Sequence, residues 1–443
     1  MGARLTVAGQ APNIIFIYAD DMGWTGTSVE MIKGDPASKS DFYQTPNLQK
    51  LAARGIVFSQ AYSPGPMCTP SRAGVLTGLT PAKLHITAPG GRPDSSRKLL
   101  SPRSSTQLSS DLPTIGTTLK SAGYATALLG KWHIGRHGDA GDHGFDLHDG
   151  TTLNESRGTD EDPKSIVSLT KRGIAFMEKN VKAENPFYLQ LSHYAVHAPI
   201  QSKPISIKKF ATTPAGKLHD DSSYAGMTWD LDASLLQIQD AIKKLGIANH
   251  TYLVFMSDNG AQGNRRRQNN LPLNAGKGTV REGGIRIPFI VTGPGIEPGY
   301  CDTPVSGTDL FATFTAWAGA EASSAESENL TALLTGRSTK FKRRKPLLFH
   351  YPHYGRGVQK PQTAIILNNW KLYRDWESGK DTLFDLKKDI GESTDLSAKH
   401  PEIFKKLVAA MDTRLKETRA QLPTKNGAYN PNSRPARRPE RRR

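Results

Sequence analysis

Two cysteines, Cys68 and Cys301, are all that this 443-residue chain contains. A pair cannot make the disulfide framework of a small secreted scaffold. It allows at most a single Cys68–Cys301 bridge. No apolar run approaches the ~20 residues that a membrane-spanning helix needs, so no membrane span is expected. The opening residues "MGARLTVAGQ" lack the hydrophobic stretch of a secretion signal. No internal repeat is present. Acidic residues are in deficit, with 41 Asp and Glu against 58 Lys and Arg, a net charge of +17. The last ten residues, "RPARRPERRR", supply +5 of this and read as a disordered tail. The remaining +12 suits an acidic partner: a sulfated or carboxylated glycan, nucleic acid or an anionic surface. Basic segments interleaved with aromatics are missing, so no specific nucleic-acid partner is expected.

The apolar content, 37%, is modest but sufficient for a core at this length. It is gathered in short runs that end in polar residues. "PNIIFIYADD" (12–21) closes on Asp20 and Asp21, and "GYATALLGKWHIG" (123–135) on Lys131 and His133. "NPFYLQLSHYAVHAP" (185–199) closes on His193 and His197, and "HTYLVFMSDNG" (250–260) on Asp258 and Asn259. Helical stretches lie between them: 45–56, 112–124 with Asp111 as cap and Gly123 as stop, 168–181, and 229–247. The last carries an apolar stripe at 231, 235, 238, 242 and 245. Alternating strands and helices predict an open α/β sheet covered on both faces. Such sheets gather ligand groups beyond the carboxyl ends of their strands.

Near residue 340 the pattern changes. "AIIL-NN-WKLY" reads as a hairpin, since Asn tolerates the positive φ of a tight turn, and 400–422 as a helix. The expected organisation is an N-terminal extension (1–11) and a catalytic α/β domain (12–340). A small antiparallel sheet with one helix (341–425) and a basic disordered tail (426–443) follow.

Adjacent acids at the end of a buried strand repel one another and are costly to desolvate. A divalent cation relieves both costs. The all-oxygen set Asp20, Asp21, Asp258 and Asn259 favours Ca²⁺, with Mg²⁺ as the other choice.

The stretch "SPGPMCTPSRAGVLTG" (63–78) surrounds Cys68 with company that a buried structural thiol does not need. Pro70 suits the first turn of a helix. Residues 68 and 72 are four apart and share a helix face, so Arg72 is expected to hold whatever stands at 68. A cysteine at a helix N-terminus near cations is also expected to be prone to form a thiolate.

"CTPSRAGVLTG" closely resembles the C-x-P-S-R-x-x-x-x-T-G motif of the type I, formylglycine-dependent sulfatases. "PNIIFIYADDMGW", "GKWHIG", "YAVHAP", "SDNG" and "GKGTVREGGIRIP" follow in the family's order, so the resemblance spans roughly residues 12–425. It implies the alkaline phosphatase superfamily fold: a large, mostly parallel mixed sheet between helices, with a smaller C-terminal antiparallel sheet and helix. It also implies that a separate maturing enzyme oxidises Cys68 to formylglycine. The hydrate of that aldehyde would attack sulfur through one hydroxyl and release sulfate through the other. A serine could accept the sulfate but has no second hydroxyl with which to release it.

The resemblance further implies that Asp20, Asp21, Asp258, Asn259 and the modified Cys68 hold the cation, and that Arg72 steadies the hydrate. Lys131 and Lys277 would neutralise the sulfate oxygens. His133 would assist elimination, and His197 would protonate the leaving alcohol. Candidate substrate contacts are Arg265, Arg266 and Arg267, just past the acids, with His193, His350 and His353; His85 is a weaker one. The expected function is hydrolysis of a sulfated carbohydrate, in the periplasm or outside the cell. Two other possibilities are a phosphate or phosphonate ester hydrolase on the same fold, and a non-catalytic binder of acidic polymers.

Overall fold

The structure, a computed structural model, describes residues 11–90, 96–135, 138–154, 158–262, 269–322, 324–355 and 359–430. Residues 1–10 of the expected extension and 431–443 of the expected tail lie outside the described residues.

The four polar-ended apolar runs become neighbouring strands: β1 (Asn13–Ala19), β3 (Ala125–Gly130), β5 (Phe187–Ser192) and β6 (Thr251–Ser257). With β2 (Ile56–Phe58), β4 (Leu147–His148), β7 (Phe289–Thr292) and β8 (Gly299–Cys301) they form an eight-stranded sheet. Its order is β8-β2-β7-β6-β1-β5-β3-β4. Pairing is parallel except at β7, which runs antiparallel to both β2 and β6. The strands are buried on both faces, hence the near-continuous apolar runs rather than strict alternation.

Two apolar layers sandwich this sheet. Ile15, Ile17, Leu189, Leu191 and Phe255 face one layer. It is closed by α1 (Pro46–Ala52), α4 (Ile166–Lys182) and α5 (Ser222–Lys244). Ile14, Phe16, Tyr18, Val254 and Met256 face the other, closed by α2 (Cys68–Thr77), α3 (Ile115–Ser121) and α6 (Asp309–Trp317). Leu231, Leu235, Ile238 and Ile242 of the expected stripe lie in the first layer. Helix α5 starts earlier than that stripe because the Asp221 carboxylate caps the Tyr224 amide at 3.0 Å.

The expected cap of α3 needs correction. Thr114, not Asp111, stands at the cap position; its hydroxyl accepts from the Thr117 amide while the Thr117 hydroxyl accepts from the Thr114 amide. This reciprocal pair satisfies two otherwise free amides, and Asp111, three residues upstream, cannot match it.

The C-terminal part is a four-stranded antiparallel sheet in sequential order: β9 (Leu347–Tyr351), β10 (Gln362–Leu367), β11 (Trp370–Asp375) and β12 (Lys380–Asp385). The Asn-Asn turn forms as expected, with Leu367 paired to Trp370 and Asn368 at φ 55°. Helix α7 (Pro401–Glu417) lays Leu407, Met411 and Leu415 on Leu348, Ile365, Leu372 and Leu383. The opposite face, through Phe349, Ala364 and Ile366, packs on Tyr62, Val280 and Ile285 of the large sheet's surroundings.

Strand register sets the level at which the polar ends emerge. Ala19 pairs with Ser257, Tyr18 with Ser192, and Gly130 with Ser192. The residues that follow, Asp20, Asp258, Lys131 and His193, therefore leave the sheet along one edge.

Candidate active site

Backbone hydrogen bonds extend the ladder one step past the strands and lock these residues in place. Asp258 N–H donates to Ala19 C=O at 3.0 Å, Lys131 N–H to Ser192 C=O at 2.8 Å, and His193 N–H to Tyr18 C=O at 2.9 Å. Helix α2 brings Cys68 to the same place as its first residue, after an extended Met67. Every residue of α2 is buried. Thr69 Oγ1 donates to the His133 carbonyl at 2.8 Å, tying the start of the helix to the Lys131–His133 loop. A third segment arrives from 260–280: Lys277 N–H donates to Ala261 C=O and Gly278 N–H to Pro66 C=O.

The ligand atoms of Asp20, Asp21, Cys68 and Asp258 lie within 4.8 Å of one another. Cys68 Sγ is 3.4 Å from Asp20 Oδ1, 3.6 Å from Asp21 Oδ1 and 3.1 Å from Lys277 Nζ. Three buried acids face three cations, of which Lys131 and Arg72 are buried and Lys277 nearly so. Lys131 Nζ pairs with Asp20 at 2.5 Å, Lys277 Nζ with Asp21, and Arg72 Nε and Nη2 with Asp258 Oδ2 at 3.1 and 2.7 Å. Burial opposes the charge of Asp20, but Lys131, His197 and Arg72 hold its carboxyl down at about 2. Asp21 is lowered likewise, with Lys277 outweighing the penalty of burial. Burial also works against the Lys277 ammonium, yet Asp21, Cys68 and Asp20 hold its pKa well above the ordinary lysine value.

A divalent cation fits this cradle. Asp21 Oδ2 and Asn259 Oδ1 are buried without a hydrogen-bond partner, although Asn259 Nδ2 is satisfied by Asp21 and Gly260. Two orphaned oxygens beside clustered carboxylates form a donor set of hard oxygens, which suits Ca²⁺ or Mg²⁺.

A model of the sulfatase family matches residues 12–320. The chain belongs to the sulfatase family. It is 28% identical to a sulfatase of Formosa agariphila, over 89% of this chain and 86% of that one. It is 30% identical to the N-acetylgalactosamine-6-sulfatase of Sus scrofa, over 79% of this chain and 70% of the relative. Its fold superposes on the crystal structure of Ps i-CgsB in complex with k-i-k-neocarrahexaose at a TM-score of 0.76. That likeness covers 92% of this chain and 94% of the other at 27% identity. This sulfatase is a sulfuric ester hydrolase.

Several expectations about single residues need correction. Arg72, expected to hold position 68, has its hydrogen bonds elsewhere around unmodified Cys68: besides Asp258 it donates Nη1 to the Lys131 carbonyl at 2.8 Å. The guanidinium follows the nearest carboxylate charge and ties α2 to β6 and to the end of β3. The Cys68 thiol is not prone to ionise. Burial first, then Asp258 and Asp20, push its pKa well above the ordinary thiol value despite Lys131 and Lys277. Cys68 and Cys301 are both free, so the bridge does not form.

His350 and His353 do not line a pocket. They are buried: His350 Nδ1 meets Thr363 Oγ1 at 2.7 Å and Nε2 the Gln421 carbonyl at 3.1 Å, and His353 Nε2 meets Thr87 Oγ1 at 2.7 Å. His85 Nε2 likewise meets the Arg419 carbonyl at 2.9 Å. These three hold the C-terminal sheet and helix to the 85–88 loop and to one another. His193 follows β5 as expected but is wholly buried, with neither ring nitrogen bonded, so it does not line an open pocket either. Arg265, Arg266 and Arg267 lie outside the described residues.

His133 and His197 do reach the cluster. His133 sits in the left-handed region, φ 55°, with Nδ1 buried and unbonded, and burial with Lys131, Arg72 and Lys277 drives its pKa to about 2. It is therefore neutral. His197 Nε2 lies 3.7 Å from Asp21 Oδ2. Sequence reading passed over one residue that the fold brings here: Gln359, from the C-terminal part, donates to the Lys277 carbonyl. It shows no periodicity or spacing by which it could have been found.

Proposed function

We propose that this sulfatase cleaves sulfate esters of an anionic carbohydrate through Cys68 converted to formylglycine, beside a divalent cation held by Asp20, Asp21, Asp258 and Asn259. The observation that carries the proposal is the position of the Cys68 sulfur, within 3.1–3.6 Å of Lys277 Nζ and of the Asp20 and Asp21 carboxylates. Without a cation, burial and the neighbouring carboxylates Asp258 and Asp20 push the Cys68 thiol's pKa up. An oxygen acid derived from it would be the nucleophile, and the cation would supply the positive charge that eases its ionisation.

The protein's own side chains then have definite roles. Asp20, Asp21 and Asp258 are matched in charge by Lys131, Lys277 and Arg72, so a divalent cation leaves the site positive by two. One ionised nucleophile and one sulfate monoester anion neutralise it. Lys131 and Lys277 pair with the oxygens on which charge develops. His133 assists the elimination that releases sulfate, and His197, at the more open side, gives a proton to the leaving alcohol.

The carbohydrate assignment draws on the N-acetylgalactosamine-6-sulfatase relatives, the neocarrahexaose-bound neighbour and the basic charge of the chain. A substrate of that kind is met in the periplasm or outside the cell, after a maturing enzyme has read the Cys-Thr-Pro-Ser-Arg segment. Two measurements test the proposal. Peptide mass spectrometry across residues 54–72 reads the loss of thiol hydrogen and sulfur for aldehyde oxygen. Sulfate release is then followed on sulfated glycans, with paired aryl sulfate and aryl phosphate esters for comparison. An unconverted Cys68 in a fully active enzyme, or higher kcat/KM on the phosphate ester, sinks it.

A further inference from the structure

Behind the site stands a second buried ionic cluster, whose members lie outside the chemistry proposed above. Lys371, on β11, is wholly buried. Its ammonium lies 2.8 Å from Glu282 Oε1 and 3.0 Å from Glu392 Oε1. Glu282 Oε2 accepts from the Tyr62 hydroxyl at 3.0 Å and from Arg286 Nη1 at 3.2 Å. Glu392 Oε2 accepts from the Glu282 amide at 2.7 Å. Glu282, Glu392, Arg286 and Tyr62 are all buried. Glu392 takes its place at φ 52°, a left-handed conformation that non-glycine residues seldom adopt.

Paired charges taken out of water gain little net stability, and apolar side chains of similar volume often serve as well. Stability alone gives little reason for such a cluster. Its position gives a better one. Glu282 opens the short helical turn Glu282–Ile285, and the backbone of that turn holds the segments that carry the site. Gly284 C=O accepts from the Gly260 amide at 3.0 Å, one residue past Asn259. Ile285 C=O accepts from the Ser63 amide at 2.8 Å, on the approach to Cys68. Gly283 N–H donates to Asn274 C=O at 2.8 Å, just before Lys277. The fit leaves no slack: a Cβ at Gly260 would stand 1.9 Å from the Gly283 oxygen, and one at Gly284 2.0 Å from the Thr279 oxygen. The segments bearing Asn259, Cys68 and Lys277 thus meet at one turn, and a shift of that turn moves all of them.

We propose that Glu282 is a positioning residue for the sulfatase reaction, and that Lys371 of the C-terminal sheet fixes it by neutralising its buried charge. The C-terminal sheet is then part of the active site's support. This rests on the function proposed above. The competing arrangement is a clamp that only joins the two parts of the molecule.

The test uses the full chain, in the wild type, Glu282→Gln, Lys371→Met and the double variant. Rates on a small aryl sulfate are expressed per aldehyde-bearing molecule, beside denaturant midpoints. Each single change is expected to lower kcat/KM by about tenfold, short of the roughly hundredfold that a misplacement of about 1 Å can cost. The double variant should also lose about tenfold, because residues in one ion pair act as a unit. A multiplied loss of about a hundredfold in the double variant overturns the pairing. Unchanged kcat/KM in the single variants, whatever their midpoints, overturns the positioning role. Should Glu282→Gln or Lys371→Met fail to fold, Tyr62→Phe takes only one hydroxyl from Glu282. It is expected to lower kcat/KM by about threefold, the lower range of one hydrogen bond's worth, and an unchanged value overturns the proposal.

Hydrogen exchange read by mass spectrometry gives a measure independent of turnover. In Glu282→Gln the amides of 60–68 and 258–262 should exchange faster, since local opening follows the loss of local contacts. Faster exchange confined to 347–385 overturns the proposal in favour of the clamp. The two proposals fail separately. A chain that hydrolyses no sulfate ester, yet loosens at 60–68 and 258–262 in Glu282→Gln, refutes the function and leaves Glu282 holding these segments. An active enzyme indifferent to Glu282→Gln does the reverse.

Discussion

The side-chain amide of Gln359 donates to the backbone carbonyl of Lys277 at 2.7 Å. Lys277 in turn places its ammonium on Asp21 and on the Cys68 sulfur. Gln362, the first residue of β10, accepts from the Val280 amide at 2.9 Å. The C-terminal sheet thus grips the 277–280 turn at both ends, and Gly278 between them, at φ 84°, leaves no room for a side chain against Gln359. The C-terminal part therefore bears on where the second lysine stands.

Removing that grip should separate catalysis from stability. Gln359→Ala is expected to lower kcat/KM by about five- to twentyfold, as a displaced charge clamp does. It should cost about 1 kcal/mol of stability, the ordinary worth of one hydrogen bond. Steady-state kinetics beside a denaturant titration checks both. A stability loss with unchanged kcat/KM would show that Lys277 keeps its position unaided.

The acidic cradle makes cation binding and stability one measurement. Ca²⁺ held by the proposed site on the folded chain should raise the melting temperature in a concentration-dependent way, by roughly 2.7 kcal/mol of stability at a hundredfold excess over Kd. Asp258→Asn should abolish that response. It should also destabilise the cation-free protein, by about 3 kcal/mol, since it leaves the buried Arg72 charge without its main partner. Calorimetric scans with and without chelator decide it. A Ca²⁺ response of full size in Asp258→Asn would remove Asp258 from the ligand set.

Cys68→Ser should stop turnover without unfolding the protein, because position 68 is buried in a well-packed helix and the change is small. A serine ester of sulfate has no neighbouring hydroxyl to expel it. Intact mass after incubation with an aryl sulfate should therefore show one covalently held sulfate per chain. Continued turnover by Cys68→Ser would refute elimination from a two-hydroxyl centre.

Stability should fall as pH drops below 6.5. Burial lowers His193 and His350 to about 4, and burial with His350 lowers His353 to about 3, from an ordinary value of 6.5. Below 6.5 the unfolded chain takes up protons that the folded chain refuses, so protonation favours unfolding. The stabilisation is complete above 6.5 and is lost as pH falls towards 4. Each group contributes up to about 1.4 kcal/mol per pH unit in that window. Denaturant midpoints from pH 7.5 to 4.5 measure the slope, and His350→Gln should flatten it by one proton. A pH-independent midpoint would contradict the burial of these rings.

Much of this molecule was legible before folding was considered. The four apolar runs ending in Asp20–Asp21, Lys131, His193 and Asp258–Asn259 gave both the parallel sheet and one shared edge, because a strand buried on both faces must be apolar until it leaves the sheet. Asn368–Asn369 gave the hairpin, since few residues accept that turn. The "CTPSRAGVLTG" segment gave the helix that begins at Cys68. His350, His353 and His193 misled for a common reason: a histidine beside a polar motif looks the same in sequence whether its ring faces solvent or is buried in the interior.

What the chain alone determined, then, is the set of local choices: which segments are strands, where they end, and which acids, lysines and histidines stand at those ends. Those follow from periodicity and polarity over a few residues. The tertiary structure decided the pairings: Arg72 with Asp258, Lys131 with Asp20, and Gln359 behind Lys277. Each joins residues far apart in sequence, and the energy that selects among them, burial of charge set against a partner, exists only once the segments have been brought together.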